Sequence, residues 1–244
     1  MKEQVLSLYK TAFNDPDVFT EDFIDRYFET SCRYTVKDGR VVSMLFLLDA
    51  TMQKGEEMLC GKYLYAAATH PDFKGQGLMT DLIEKAKRET AEKGEFLLTK
   101  PATETLFNFY KKFGFKTAVF SKDEQYRLTK KTKPLKKLNK NDYLSKRAEL
   151  LKEQAYITLS DTDYIYSFFT LFGNENTVCA VDLTEETPTV REFISLAEDG
   201  KDALLLAVGK NKAVFREQGD TPFAMIIFPK GKGESLVNFS VAID

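Results

Sequence analysis

The sequence predicts an α+β fold with a mixed, mostly antiparallel sheet, followed by a second, smaller α+β domain. Apolar residues near the start, such as Val5, Leu6 and Tyr9, recur at helical spacing. Short apolar stretches joined by turn residues follow, as at Asp38-Gly39, a dipeptide that accommodates the positive φ of a hairpin turn. A lysine-rich segment then interrupts the pattern, and strand-like and helix-like stretches resume after it.

Composition excludes several classes of protein. The 244 residues are 43% hydrophobic, which is enough to bury a sizeable core. Lys and Arg number 35 against 37 Asp and Glu, so the strongly basic field of a general nucleic-acid binder is missing. No apolar run approaches the ~18 residues of a membrane span, and the first residues lack a signal-peptide core. We therefore expect a cytoplasmic protein with no nucleic-acid and no membrane partner.

Cysteine and histidine are too few for several kinds of site. The three cysteines, Cys32, Cys60 and Cys179, fit neither a disulfide framework nor a zinc pattern. We expect free thiols and no metal. The single histidine, His70, leaves most Ser-His-Asp arrangements without their central residue.

The first elements are predicted from periodicity and turn residues. Two helices open the chain, and the second begins after Pro16. Strands at 33–37 and 41–48 are expected to form an antiparallel pair. Further strands are expected at 56–59 and 63–69, and the latter is small and apolar enough to be buried on both faces.

A glycine-containing turn follows the fourth predicted strand. His70–Gly77 leads into an amphipathic helix that starts at Leu78. The remaining predicted elements of the first half are a strand at 96–99, a helix that ends at Gly114, and a closing hairpin of 115–120 with 125–129.

A boundary is predicted near residue 130. Six of the eleven residues 130–140 are lysine, and Pro134 blocks a continuous helix. Such a segment is usually a solvated linker, and a polybasic contact with a nucleic acid or an anionic surface is the alternative. The predicted parts are a first domain at 1–129, a linker at 130–137 and a second domain at 138–244.

The second half is predicted to contain another strand, helix, strand unit. Helices are expected at 141–155 and 164–172. The unit itself would be a strand at 177–181, a helix at 188–197 and a strand at 203–208. An antiparallel set would complete the half, with strands at 212–216, 223–228 and 236–243.

The turn at Lys74–Met79 carries the strongest functional signal. A glycine turn between a strand and a helix places backbone N–H groups and the positive end of the helix dipole around an anion, for which phosphate is the natural guest. The spacing here matches neither Gly-x4-Gly-Lys-Ser/Thr nor Gly-x-Gly-x-x-Gly. Two glycines in a loop are a weak signal until the surrounding elements are considered.

In this order of elements, Lys74-Gly75-Gln76-Gly77-Leu78-Met79 resembles the coenzyme A loop of the GNAT acyltransferase superfamily, Gln/Arg-x-x-Gly-x-Gly/Ala, with Gly77 at the central glycine. Lys74 replaces Gln/Arg and keeps a donor, whereas Met79 replaces a small residue. Residues 110–115, Tyr-Lys-Lys-Phe-Gly-Phe, match the family's Tyr-x-x-x-Gly-Phe. The resemblance covers residues 1–129.

The resemblance implies an N-acetyltransferase that moves an acetyl group from acetyl-CoA to a primary amine by direct attack. Tyr110 would be the general acid that protonates the leaving thiolate, a role for which a tyrosine with a pKa near ~10 keeps its proton at neutral pH. The alternative is that Tyr110 is a core residue without a catalytic role, because it shares an apolar stripe with Leu106 and Phe113. The implied coenzyme contacts are Ala67, Ala68, Thr69, Lys74, Gly75, Gln76, Gly77, Leu78, Met79, Thr80 and Asn108.

The acceptor and the general base stay open. A small-molecule amine and a peptide amine are both possible acceptors. No motif specifies the general base that would take the amine's proton. The candidates are His70, Glu56, Glu57 and a water chain. In the enhanced-intracellular-survival acetyltransferases the chain's terminal carboxylate enters the first site, which by resemblance adds Asp244. A non-catalytic acyl-CoA-binding or structural partner protein is the alternative function.

The second half resembles a reduced acyltransferase domain without a cofactor site. Its predicted connection from Asp182 to Thr187 has no glycine and carries two glutamates, which would repel phosphate. We expect this domain to wall the acceptor pocket or to form a homodimer.

Overall fold

The structure, a computed structural model, describes residues 1–231 and 237–239. Its chain divides into two units. The first comprises Met1–Thr51, Leu59–Lys116 and 225–231, and the second comprises Met52–Met58, Thr117–Ala224 and 237–239. The lysine-rich segment 130–137 belongs to the second unit, where its lysines are exposed.

Two helices open the first unit, as the apolar spacing predicts. They are α1 (Lys2–Ala12) and α2 (Asp17–Ser31), and Pro16 is the N-cap of α2. The next two strands, β1 (Cys32–Lys37) and β2 (Arg40–Lys54), pair antiparallel. The hairpin prediction is confirmed, because Asp38 and Gly39 both have positive φ angles, 48° and 74°.

The third strand of the first unit corrects the predicted pair of strands at 56–59 and 63–69. One continuous strand, β3, runs over Glu57–Thr69. Gly61 does not break it. A Cβ at this position would stand 2.4 Å from the ring of Phe96, so the glycine allows a close approach within the sheet.

The rest of the first unit follows the predicted order, with α3 (Leu78–Lys93), β4 (Phe96–Thr99) and α4 (Glu104–Lys111). Its sheet has the order β1-β2-β3-β4-β12, in which β12 spans Thr221–Ile227. Strand β3 pairs parallel with β4, and β12 pairs antiparallel with β4. The core between this sheet and helices α3 and α4 contains Leu45, Leu64, Ile83, Leu97, Phe115 and Met225.

The predicted hairpin of 115–120 with 125–129 is wrong. A single strand, β5, spans Lys116–Arg127. Its charged middle stays extended because β11 (Lys212–Gln218) pairs antiparallel with it from Ser121 to Arg127. Arg216 of β11 donates from Nε and Nη2 to the carboxylate of Asp123, each at 3.0 Å.

The second unit holds a mixed, mostly antiparallel sheet of the order β5-β11-β10-β9-β8-β6. Its other elements are β6 (Lys136–Lys137), α5 (Lys140–Leu150), β7 (Tyr156–Leu159), α6 (Thr162–Ser167), β8 (Thr170–Gly173), β9 (Thr177–Asp182), β10 (Thr189–Ser195) and α7 (Gly200–Val208).

Three assignments in the second half are wrong. Residues 188–197, predicted as a helix, contain the strand β10, whose Val, Phe and Ile suit a sheet. Residues 203–208, predicted as a strand, lie in the helix α7, because a short apolar run of Ala and Leu fits a buried helix equally well. The helix predicted at 164–172 is the short α6 followed by β8.

A strand, helix, strand unit is present, but it begins one element later in the chain than predicted, at β10 instead of β9. Strands β10 and β11 pair parallel, and α7 connects them. The turn that leads into α7 carries Glu198 and Asp199, so this connection also presents carboxylates. Most of the predicted strand 236–243, and Asp244, lie outside the described residues.

Candidate functional site

A cavity of about 750 Å³ opens in the first unit, at the carboxyl end of β3. Four elements line it: the last turns of α1, the end of β3, the loop that leads into α3, and one face of α4. The lining residues are Leu8, Thr11, Ala12, Phe13, Ala67, Ala68, Thr69, Pro71, Phe73, Lys74, Gly75, Gln76, Gly77, Leu78, Met79, Thr80, Leu106 and Phe109.

Strand β3 continues beyond the end of β4 beside this cavity. Their parallel register runs from Gly61 opposite Phe96 to Leu64 opposite Thr99, where β4 ends while β3 continues to Thr69. Ala66 has a φ of 49°, which is uncommon for a residue with a Cβ and marks a local distortion of the strand. The backbone of Ala67–Thr69 therefore runs past the end of β4 along the cavity wall.

Hydrogen bonds with β2 fix the other edge of Ala67–Thr69. Ser43 Oγ donates to the carbonyl of Ala68 at 3.2 Å and lies 2.9 Å from Thr69 Oγ1. The backbone N–H of His70 donates to the carbonyl of Val42 at 2.9 Å. These bonds fix the backbone that faces the cavity.

The loop after β3 has the backbone geometry that an anion-binding turn requires. Gly75 and Gly77 have φ angles of 76° and 79°, a region that favours glycine, and a Cβ built on either would meet open space. Gly77 caps α3 without a side-chain hydrogen bond, and the first intrahelical bond runs from the N–H of Asp81 to its carbonyl. The N–H groups of residues 78–80 therefore precede the intrahelical ladder, at the positive end of the dipole of a 16-residue helix.

Side chains around the loop add donors. Lys74 lines the cavity, and Lys37 donates from Nζ to Gln76 Oε1 at 2.7 Å. This arrangement can hold a diphosphate through backbone donors and cationic side chains, which is the chemistry that a nucleotide-containing cosubstrate needs.

Ten of the eleven predicted coenzyme contacts line this single cavity. The exception is Asn108, which is exposed on α4 and accepts a hydrogen bond from Lys111 Nζ at 3.3 Å. The α4 residues that line the cavity are instead Leu106 and Phe109. Met79 lines the cavity at the position where the coenzyme A loop that this segment resembles has a small residue.

Tyr110 is not among the residues that line this cavity and lies beside Thr99, the last residue of β4. Its side chain is 5% exposed, and its ring packs against Phe109 and Phe115 at centroid distances of 5.4 Å. Burial raises the pKa of Tyr110, and a hydrogen bond with the side chain of Thr99 acts in the opposite direction. Because Thr99 Oγ1 donates to the carbonyl of Leu64 at 3.2 Å, the Tyr110 hydroxyl belongs to a polar cluster at the last paired residues of the two strands.

The base candidates lie in different places. His70 is partly exposed, and its Nδ1 accepts from the N–H of Asp72 at 3.3 Å, which fixes the turn before the loop. Glu56 and Glu57 are exposed at the start of β3, whereas the cavity lies at its end, so they do not line it. Asp244 lies outside the described residues.

The cysteines are free thiols, as predicted. Burial raises the pKa of Cys32 to about 12, and the pKa of the buried Cys179 is also raised, so neither is an activated nucleophile. Within residues 1–231 and 237–239, no group of three or more His, Cys, Asp or Glu side chains is arranged to hold a metal ion. Over the same residues, each helix is too short or too polar to cross a membrane.

Sequence reasoning missed the α1 wall of the cavity. The periodicity of α1 predicts its buried face, and nothing in it shows that Leu8, Thr11, Ala12 and Phe13 meet a loop some 60 residues later in the chain. The only available signal was the resemblance itself, which places two helices before the sheet.

Comparisons with known proteins agree with this fold. Residues 2–118 match the family model of the acetyltransferase (GNAT) domain. A GCN5-related N-acetyltransferase from Kribbella flavida has a similar structure, with a TM-score of 0.73 at 13% identity over 93% of this chain and 69% of that chain. A GCN5-related N-acetyltransferase from Anabaena variabilis gives 0.70 at 15% identity over 92% and 69%.

A third similar structure is Eis1 from Mycobacterium abscessus, with a TM-score of 0.57 at 10% identity over 79% of this chain and 57% of that chain. No curated protein sequence matches the chain. At these identities the solved structures show a shared fold, which is the predicted α+β fold with a mixed, mostly antiparallel sheet.

Proposed function

Because residues 2–118 belong to the GNAT acetyltransferase family, we propose that the protein transfers an acetyl group from acetyl-CoA to a primary amine. One observation carries the proposal: the cavity brings together the glycine loop at the start of α3 and the backbone of β3 beyond the end of β4. The first provides donors for a diphosphate, and the second provides an extended edge for the pantetheine arm.

The geometry supports a division of roles along the cavity. The N–H groups at the start of α3, with Lys74, would hold the diphosphate, and Ala67–Thr69 would hold the amide-rich arm through their backbone. In this arrangement the thioester would lie near the end of β4, close to Tyr110, which is not itself one of the residues that line the cavity. Tyr110 would then protonate the thiolate that leaves when the amine attacks the carbonyl carbon.

The burial of Tyr110 and the bulk of Met79 in the loop favour a second candidate, a protein that binds acyl-CoA without turnover. Two measurements separate the candidates. Calorimetry with acetyl-CoA tests binding. Thiol release with acetyl-CoA and a panel of lysine, spermidine, an aminoglycoside and a lysine-containing peptide then tests transfer. Binding without thiol release above the amine-free rate would support the second candidate, and the absence of binding would exclude both.

We also expect one coenzyme per chain. The turn into α7 carries Glu198 and Asp199, and a Cβ on Gly200 would stand 2.5 Å from Ser195 Oγ, so this helix start is crowded and acidic. Phosphate would meet repulsion there rather than open N–H groups. Calorimetric titration with acetyl-CoA should give a stoichiometry near one. A value near two would contradict a second unit without a cofactor site.

A further inference from the structure

Three side chains form a hydrogen-bonded chain in the first unit. The hydroxyl of Tyr9 on α1 donates to Asp15 Oδ2 at 2.8 Å, and the hydroxyls of Tyr9 and Tyr65 are 3.2 Å apart. Tyr9 is fully buried, whereas Asp15 and Tyr65 are partly buried. The two ends of this hydrogen-bonded chain, Asp15 and Tyr65, are therefore partly accessible to solvent, whereas its middle member, Tyr9, is not.

The hydroxyl protons of this hydrogen-bonded chain all point toward Asp15. Tyr9 has a single hydroxyl proton, which it donates to Asp15, so its oxygen must accept the proton of Tyr65. The lone pairs of the Tyr65 oxygen then remain able to accept a further hydrogen bond. A proton that arrives at Tyr65 can thus be passed to Tyr9 and on to Asp15 without any rotation of the hydroxyl groups beforehand.

The carboxylate of Asp15 is the end of the hydrogen-bonded chain that can accept a proton without donating one. Burial raises the pKa of Tyr65 to about 12, and burial raises the pKa of Tyr9 further, so both tyrosines are neutral at neutral pH. Asp15 is therefore the proton acceptor of this chain.

Tyr9, Asp15 and Tyr65 do not themselves line the cavity but lie behind the residues of α1 and β3 that do. Leu8 and Phe13 line the cavity on either side of Tyr9 in sequence, and the Phe13 ring packs on Tyr9 with a centroid distance of 4.7 Å. Tyr65 precedes the distorted Ala66 on β3, just beyond the last residue paired with β4. Tyr65 thus comes immediately before the stretch of β3 that lines the cavity.

We propose that Asp15, acting through Tyr9 and Tyr65, takes up the proton that the attacking amine must lose. This proposal rests on the acetyl transfer proposed above. The C–N bond forms as the C–S bond breaks, and Tyr110 supplies a proton to the thiolate. The amine proton passes to Tyr65, that of Tyr65 to Tyr9, and that of Tyr9 to Asp15. Asp15 then releases a proton to solvent, and Tyr110 regains one.

Asp15→Asn is the primary test, with acetyl-CoA and the panel amine that the wild-type protein acetylates fastest. The amide oxygen can still accept from Tyr9, but it cannot take up a proton at neutral pH. We expect kcat to fall about 10²-fold, the lower end of the range for general base catalysis, with KM for acetyl-CoA unchanged. The matched control is Asp17→Asn, the same change at an exposed residue two positions away, which should keep the wild-type kcat.

Tyr65→Phe is the second test, because it breaks the chain at its other end. A similar loss in kcat is expected, and the Asp15→Asn/Tyr65→Phe double variant should lose no more than either single variant, since both remove one pathway. A merely structural role would instead lower the melting temperature or weaken acetyl-CoA binding. Calorimetry and thermal unfolding measure both quantities.

The outcomes separate this proposal from the proposed function. An inactive wild-type protein on the whole amine panel would overturn transfer and the proton role together. An active wild-type protein with an Asp15→Asn variant within threefold of its kcat would overturn the proton role alone. Losses that multiply in the double variant would overturn it as well, because they would show two independent contributions.

Discussion

The Gly77→Glu variant is expected to lose acetyl-CoA binding. Gly77 has a φ of 79°, and a side chain there adds backbone strain of about 1–2 kcal/mol. The larger effect is electrostatic, because the position caps α3 at the proposed diphosphate site. A carboxylate about 4 Å from a phosphate charge is repelled by roughly 4 kcal/mol at an effective dielectric constant near 20. This corresponds to about 10³-fold weaker binding.

The control for this variant is Gly94→Glu. Gly94 caps the opposite end of α3 with a φ of 68°, and a Cβ there also meets open space. It therefore introduces the same side chain and comparable backbone strain away from the cavity. Calorimetry should show the wild-type affinity for acetyl-CoA in this control. Unchanged affinity in a folded Gly77→Glu variant would remove the loop from the coenzyme site.

The Tyr110→Phe variant is expected to bind acetyl-CoA normally and to turn over about 10²–10⁴-fold more slowly. The change deletes the phenolic proton and keeps the ring that packs on Phe109 and Phe115. Burial raises the pKa of Tyr110, so the hydroxyl holds its proton until the thiolate forms. The lost hydrogen bond with Thr99 should lower the free energy of unfolding by only about 1 kcal/mol.

Steady-state thiol release measures kcat, and calorimetry measures coenzyme affinity, for this variant and for Tyr34→Phe. Tyr34 is a partly exposed residue of β1 whose ring stacks on Phe28 at 6.0 Å, so it provides the same chemical change away from the cavity. Wild-type turnover in Tyr110→Phe would return Tyr110 to a core role and support a different acid.

Local signals explain what was predicted correctly. The Asp38-Gly39 hairpin, the glycine loop and α3 each depend on residues within a few positions of one another. A positive φ at glycine and an apolar stripe at helical spacing are properties of short segments. The ten predicted contacts that line the cavity lie in one loop and one strand end, whereas the position of Asn108 depends on which face of α4 meets the cavity, and packing decides that.

The length of a long strand, and whether an apolar segment becomes a helix or a strand, depended on the strands with which each could pair. Strand β5 stays extended through a charged stretch because β11, some 90 residues later, pairs with it. The apolar residues of α7 and β10 are compatible with either kind of element, and pairing with β9 and β11 selects the strand at 189–195. Such choices depend on buried area and hydrogen bonds contributed by distant residues.

The sequence by itself determined the family fold of the first unit and the loop proposed to hold the coenzyme, because the turn conformation and helix start that they require are encoded in consecutive residues. Tertiary structure alone decided the α1 wall of the cavity and the chain from Tyr65 through Tyr9 to Asp15. Tyr9 and Tyr65 are 56 positions apart, and their hydroxyls meet only because α1 packs beside β3. A hydrogen bond between such distant residues leaves no periodic trace in either segment.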